Sequence, residues 1–261
     1  MKRPVPCIRI ALFLISLMQV THAEERPWYE AEAFTGDPLL SINRAGLGYE
    51  HKEGGGHSEK FIPNGRLLLG GKTGRNDWSI GIEMPYLIND PDNAGSVEGI
   101  GDFKIRLGHN WLEDETWLVG SYFETEFDTA ADDVQAIANQ RTQFAFGTGF
   151  LRNFGNGWAA GSAVQFGWSP DAGETNGHKG EWEIRVGARK TFSESWSITL
   201  GYKAIINVVG EDTYNSSIEP ALAWDFGFMD LEKLSSYISC EVPLENNRED
   251  YTLKCGLAWI F

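Results

Sequence analysis

Apolar and polar residues alternate along nearly the whole chain beyond its first 38 positions, a pattern that predicts strands and almost no helix. Twelve stretches carry it, approximately 39–51, 65–74, 78–88, 100–111, 116–128, 141–154, 158–169, 181–192, 196–208, 217–228, 235–244 and 251–261. Each is about ten residues or longer, which suits a tilted strand crossing a bilayer better than the shorter strands of soluble sandwiches. Only "DDVQAIANQ" has helical spacing, for about one turn.

The alternation separates two faces. In "EWEIRVGARKTF" one face is Trp182, Ile184, Val186, Ala188, Lys190 and Phe192, and the other is Glu181, Glu183, Arg185, Gly187, Arg189 and Thr191. In "RTQFAFGTGFLRNF", Phe144, Phe146, Phe150 and Phe154 oppose Arg141, Gln143, Ala145, Gly147 and Gly149. Trp78, Trp111, Trp117, Trp158, Trp182, Trp196 and Trp259 fall near strand ends on the apolar face, the pattern of a girdle at headgroup depth. That points the apolar face outward, into lipid. The connections alternate short and long, from "GRND", "LEDE", "NG" and "SES" to "NDPDNAGSVEG", "TAADDVQAIANQ" and "SPDAGETNGHKG". Short periplasmic turns alternating with longer outside loops define a transmembrane up-and-down β-barrel, all-β and antiparallel, with about twelve strands. An even count places both termini in the periplasm, and the tryptophans are expected at the periplasmic rim.

The chain begins "MKRPVPCIRIALFLISLMQVTHA", with a basic start, an apolar run too short to span, and small residues before a cut after Ala23. Residues 1–23 read as a cleaved signal peptide and 24–261 as one barrel domain in the outer membrane of a Gram-negative envelope. The full chain carries a formal charge of −15, and removing Lys2, Arg3 and Arg9 takes the mature chain to about −18. That excludes nucleic acid as a partner, since such binding needs clustered Lys and Arg. It leaves outer-membrane lipids and lipopolysaccharide as surroundings.

Strands spaced as in any sheet and tilted near 40° give a twelve-stranded barrel a backbone diameter of roughly 24 Å. Inward side chains narrow or close that space. The predicted lining is Arg66, Lys72, Glu83, Lys104, Arg106, Glu124, Glu126, Glu181, Glu183, Arg185, Arg189 and Lys203, with Arg44, Glu50, Asp102, Glu219, Asp225, Glu241 and Lys254 on the same face. Opposed rows of the two signs would make a transverse field that orients a polar solute. The same charges could instead pair and plug the barrel.

The acidic loops have no calcium-loop spacing, "EGIGDFKIRL" leads into a strand and not a helix, and no cofactor or metal is called for. His51, His57 and His178 sit in or beside polar loops, Ser58 next to His57 makes no triad, and His109 belongs to the interface near Trp111. No coherent catalytic site emerges. Cys240 and Cys255 are equidistant from a turn centred on Asn247 and Arg248, which places them opposite each other, as a bridge or as two lipid-facing thiols.

Two resemblances add to this. The chain ends "YTLKCGLAWIF", and its alternate residues Leu257, Trp259 and Phe261 resemble the sorting signal read by the bacterial barrel-assembly machinery. "GIGDFKIRLGHNW", preceded by "WSIGIEMPYLI", resembles the outer-membrane transporter family of the MetA pathway of phenol degradation. The family implies a passive transporter across most of the mature chain. The expectation is a channel for small polar solutes whose identity is unspecified. The alternative is a plugged barrel with a structural or binding role, and a lipid-modifying enzyme ranks third.

Overall fold

The computed structural model describes residues 44–53, 57–69, 78–90, 96–130, 142–170, 180–193, 196–208, 214–226, 234–244 and 251–260. They form fourteen strand segments: β1 (Arg44–Glu53), β2 (His57–Leu69), β3 (Trp78–Glu83), β4 (Tyr86–Asp90), β5 (Val97–Ile100), β6 (Phe103–Glu113), β7 (Trp117–Phe127), β8 (Gln143–Gly155), β9 (Trp158–Trp168), β10 (Gly180–Ser193), β11 (Trp196–Asn207), β12 (Tyr214–Asp225), β13 (Leu234–Pro243) and β14 (Tyr251–Ile260). All pairings are antiparallel, and β1 pairs with both β2 and β14, so the sheet closes on itself. β3 and β4 lie end to end along β2, while β6 pairs with β3 and β5 with β4. The fourteen segments are therefore twelve traverses, the number that the alternation predicts.

The two interrupted traverses break side by side, at Met84–Pro85 and at Gly101–Asp102. Pro85 has no N–H to give to a ladder. Its carbonyl instead accepts from the Gly101 amide at 2.8 Å. A Cβ on Gly101 would stand 3.0 Å from Leu87 and 3.1 Å from Pro85, so the crossing point suits a residue without one.

Exposure decides which face is which. Leu200 and Phe146 are each 58% exposed, whereas their neighbours Thr199 and Ala145 are 3% and 4%. The apolar face is the outside of the barrel, as in a protein whose solvent is lipid. The short turns follow their sequence: Asp114 Oδ1 accepts from the amides of Thr116 and Trp117 at 2.8 and 2.7 Å. Asn156 and Gly157 turn β8 into β9 with φ of 52° and 73°, the left-handed pair that an Asn-Gly hairpin adopts.

Three sequence expectations need correction. The second strand starts at His57, not near residue 65, because Glu53 pairs with His57 and Lys52 with Ser58 across a tight hairpin. "HSEKFIPN" is wall and not loop; inward Ser58 and Lys60 alternate with outward Glu59 and Phe61, which weakens the apolar signal. β12 likewise begins at Tyr214, inside a stretch read as connection. Trp182 does not join the other tryptophans at the rim of the short turns: it lies two residues into β10, opposite Ile206 and Phe166, at the other end of the barrel. There it forms a second belt with Phe166, at 4.9 Å between rings, while Trp168 packs on Phe144 at 6.0 Å. The lower belt keeps Trp78, Trp111, Trp158, Trp196 and Trp259, all exposed, with Trp117 against Phe150 and Trp196 against Trp224.

The register of the last hairpin corrects the cysteine geometry. Ile238 faces Cys255 and Cys240 faces Leu253, so the two cysteines are diagonal and not opposite. Cys255 is a free thiol, so the bridge, one of the two arrangements that the sequence left open, is not made between them. Symmetry about Asn247 and Arg248 misplaced the pairing by two residues. At the seam, Leu257 pairs with Leu47 and Trp259 with Ala45, both turned outward. Phe261 and the proposed leader 1–23 lie outside the described residues.

Candidate functional site in the barrel lumen

Alternation carries one residue in two to the interior, and nearly all of the expected charges arrive there. Lys72 lies outside the described residues, and nothing is described of the side chains of Arg44 and Asp225. Most of the remainder segregate into two networks on opposite arcs of the wall.

The first network stands on β3, β6 and β7. Arg106 Nε donates to Glu124 Oε2 at 2.7 Å, and its Nη2 contacts the same oxygen. Lys104 Nζ lies 3.6 Å from Glu124 and 3.5 Å from Glu126. Glu83 is opposite Lys104 in the ladder. The Arg106 guanidinium also sits over the Tyr122 ring at 5.1 Å, and the Tyr122 hydroxyl bonds Gln165 on β9.

The second network spans β10 to β14. Arg185 pairs with Glu183 on its own strand, and Lys203 pairs with Glu241. Lys254 Nζ reaches Glu241 at 2.6 Å and Glu219 at 3.0 Å. Ser217 and Ser239 donate to the same two carboxylates at 2.7 and 2.6 Å. Glu181 accepts from Gln143 at 3.3 Å. The charges are thus arranged as neighbours that neutralise each other, and not as two opposed rows. Towards the end of the short turns, Arg66 and Arg189 are 3% and 4% exposed, and Leu118 and Leu151 are fully buried.

Among the described residues, two spaces lie between the networks. The larger, of about 740 Å³, is lined by Lys60, Glu126, Arg185, Lys203, Glu241 and Lys254 among others. The smaller, of about 160 Å³, lies among Glu83, Lys104, Arg106, Asn64 and Tyr237. Glu50 borders both. Asp102 also faces the larger space and ties down the segment leaving β7, its Oδ1 accepting from the amides of Thr129 and Ala130 at 3.0 Å each.

Sequence reasoning passed over Lys60, Tyr122 and Tyr237. Lys60 was hidden by the misplaced start of the second strand. The tyrosines carry a legible signal, an inward aromatic beside an inward glycine on the next strand: Tyr122 faces Gly147 and Tyr237 faces Gly256.

His51 and His109 stay outside this lumen. His51 lies on the outer face, 3.2 Å from Glu53 and 3.9 Å from Glu59. His109 is set between Trp78 and Trp111, each 4.4 Å away, as an interfacial residue. The His57 side chain and all of His178 fall outside what is described.

Comparison with known proteins accords with this geometry. A family model described as "Putative MetA-pathway of phenol degradation" matches residues 56–247. No curated protein matches the sequence. Among solved structures, an outer membrane channel from Pseudomonas putida F1 superposes with a TM-score of 0.69 at 14% identity, covering 91% of this chain and all (100%) of that one. The NanC porin gives 0.59 at 9% identity, covering 82% of this chain and 98% of its own. The KdgM porin, solved with disordered oligogalacturonate, gives 0.56 at 10% identity over 83% and 99%. At such identities the shared property is the fold.

Proposed function

The chain belongs to the family described as "Putative MetA-pathway of phenol degradation", and we propose that within it this protein works as a passive outer-membrane channel for small polar solutes. The observation that carries this reading is the 740 Å³ space inside a closed barrel, walled by lysines, arginines and carboxylates. A wall of this kind substitutes for hydration, so a polar solute can enter without losing all of its hydrogen bonds. The description of its structural relatives as an outer membrane channel and as porins supports the same reading.

The barrel acts without catalysis, in the outer membrane, among lipid and lipopolysaccharide. Its leader is removed after Ala23, and its last strand, ending in Leu257, Trp259 and Phe261, is handed to the barrel-assembly machinery. The ion pairs favour a second reading, a plugged barrel with a structural or binding role, because each network spends its cations on its own carboxylates.

Single-channel recording of the purified, refolded protein in a planar bilayer separates the two. Discrete current steps support the channel. A heat-modifiable, folded barrel that stays silent supports the plug.

A further inference from the structure

On the outer surface of the barrel, charge is sorted by height. Among the described residues the alternation turns two cationic side chains outward, Arg152 on β8 and Lys190 on β10, and both stand at the end of the short turns. The carboxylates that strands turn outward, Glu53, Glu59, Asp90 and Glu98, stand at the opposite end. Neither Arg152 nor Lys190 has a carboxylate within 4 Å. Asp114, on the turn before β7, accepts from the amides of Thr116 and Trp117 instead.

Both cations rest on aromatic rings. The Arg152 guanidinium lies 5.0 Å from the ring centres of Trp117 and of Phe154. Lys190 Nζ lies 5.3 Å from that of Trp158 and donates to the Asn156 carbonyl in the β8–β9 turn. An aromatic face attracts a cation but accepts none of its hydrogen bonds in full, so the guanidinium keeps N–H groups to give. The other tryptophans of this belt, Trp78, Trp111, Trp196 and Trp259, carry no cation among the described residues. The positive charge is therefore confined to one sector of the belt and does not ring the barrel.

The ladder shows what lies between the two. Arg152 faces Ala160, which in turn faces Ala188, while Lys190 faces Trp158, the next outward residue of β9. The cations are thus two strands apart, about 10 Å across the sheet. The paired alanines leave a shallow depression there, with exposed Phe150, Val186 and Leu200 standing around it. A lone snorkelling cation serves any headgroup. Two cations beside an apolar depression, with a tryptophan at headgroup depth, match a negatively charged head with acyl chains attached.

We propose that this sector binds an anionic glycerophospholipid, its phosphate between Arg152 and Lys190 and its chains along Ala160, Ala188 and Val186. Outer-membrane barrels keep their short turns in the periplasm, so the lipid is one of the inner leaflet. The site goes beyond the channel reading and holds whether or not the lumen conducts.

The test titrates the full mature barrel in detergent micelles with dioleoyl phosphatidylglycerol or dioleoyl phosphatidylcholine and counts bound lipid by native mass spectrometry. The wild type should hold the glycerol lipid more tightly than the choline one. Arg152→Gln and Lys190→Gln should each weaken it about five-fold, the effect of one cation at an anionic headgroup. Arg152→Lys should keep most of the affinity, and Glu98→Gln, at the other end of the outer face, should leave it unchanged. Heat-modifiability confirms folding, and if the double variant fails to fold, the single ones decide. Equal affinity for the two lipids in the wild type, or undiminished affinity in both single variants, would overturn the site. Displacement of the lipid by an equal concentration of inorganic phosphate would also overturn it, since the chains would then contribute nothing.

Discussion

The ring of Tyr122 lies across Gly147 on the neighbouring strand, so closely that a Cβ at position 147 would stand 2.2 Å from the nearest ring atom. The hydroxyl reaches on to Gln165, two strands away. Tyr237 covers Gly256 in the same manner on the far side of the lumen. Each aromatic ring thus fills the hollow that an inward glycine leaves. Gly147→Ala should push Tyr122 off its seat and from beneath Arg106, destabilising the barrel by about 1–3 kcal/mol. Urea unfolding followed by loss of the heat-modifiable band reads the shift. An unchanged midpoint would mean that the ring swings aside at no cost.

Glu241 is held by Lys203, Lys254 and Ser217 at once. Glu241→Gln leaves two ammonium groups short of a partner, and a loss of about 1–3 kcal/mol is expected. Adding Lys203→Met should recover part of that loss. A double-mutant cycle measures the recovery, and strict additivity would show that the pair is not coupled.

Arg185 neutralises Glu183 within the lumen. Arg185→Ala should therefore move the reversal potential towards cations, and Arg185→Ala with Glu183→Gln should restore it. No movement in either variant would place this pair off the conduction path.

The register of the last hairpin is open to a chemical test. Cys255 is opposite Ile238, so Ile238→Cys should form a disulfide with Cys255 on mild oxidation, since directly opposed Cβ atoms stand about 4.5–5.5 Å apart. A non-reducing gel of the Cys240→Ser background isolates that bond. A bridge in the unmutated pair Cys240 and Cys255 would instead mean a register shifted by two residues.

Removing Phe261 should lower the yield of assembled barrel in outer membranes without altering expression. Normal amounts of heat-modifiable protein would argue against its part in the sorting signal.

The number of traverses, the outward face and most of the inward charges were legible because a strand with lipid on one side and a polar lumen on the other prints its period in the sequence. What escaped depends on more than one strand. Pro85 was a visible warning of a broken ladder, but only the pairing of β2 with both β3 and β4 shows that the break leaves one traverse and not two. Lys60 went unnoticed because a stretch that is polar on its inner face and carries Glu59 on its outer face resembles a loop. Trp182 was assigned to the wrong belt since its strand end was judged by residue type and not by direction of travel. The choice of partners, Lys254 with Glu219 and Glu241 and not with the directly opposed Glu50, is set by side-chain reach across a curved wall.

The seam between β1 and β14 has a consequence for how the cell handles this protein. Arg44 pairs with Ile260, so the first strand finds its lasting neighbour only when the final one has been made and exported. A chain cut short by a stalled ribosome or a premature stop codon would present two unsatisfied edges and no way to close them. Such edges are open to pairing with other chains, whereas the closed ring offers none. Closure is thereby all or nothing: every strand has two neighbours only when the last one is in place.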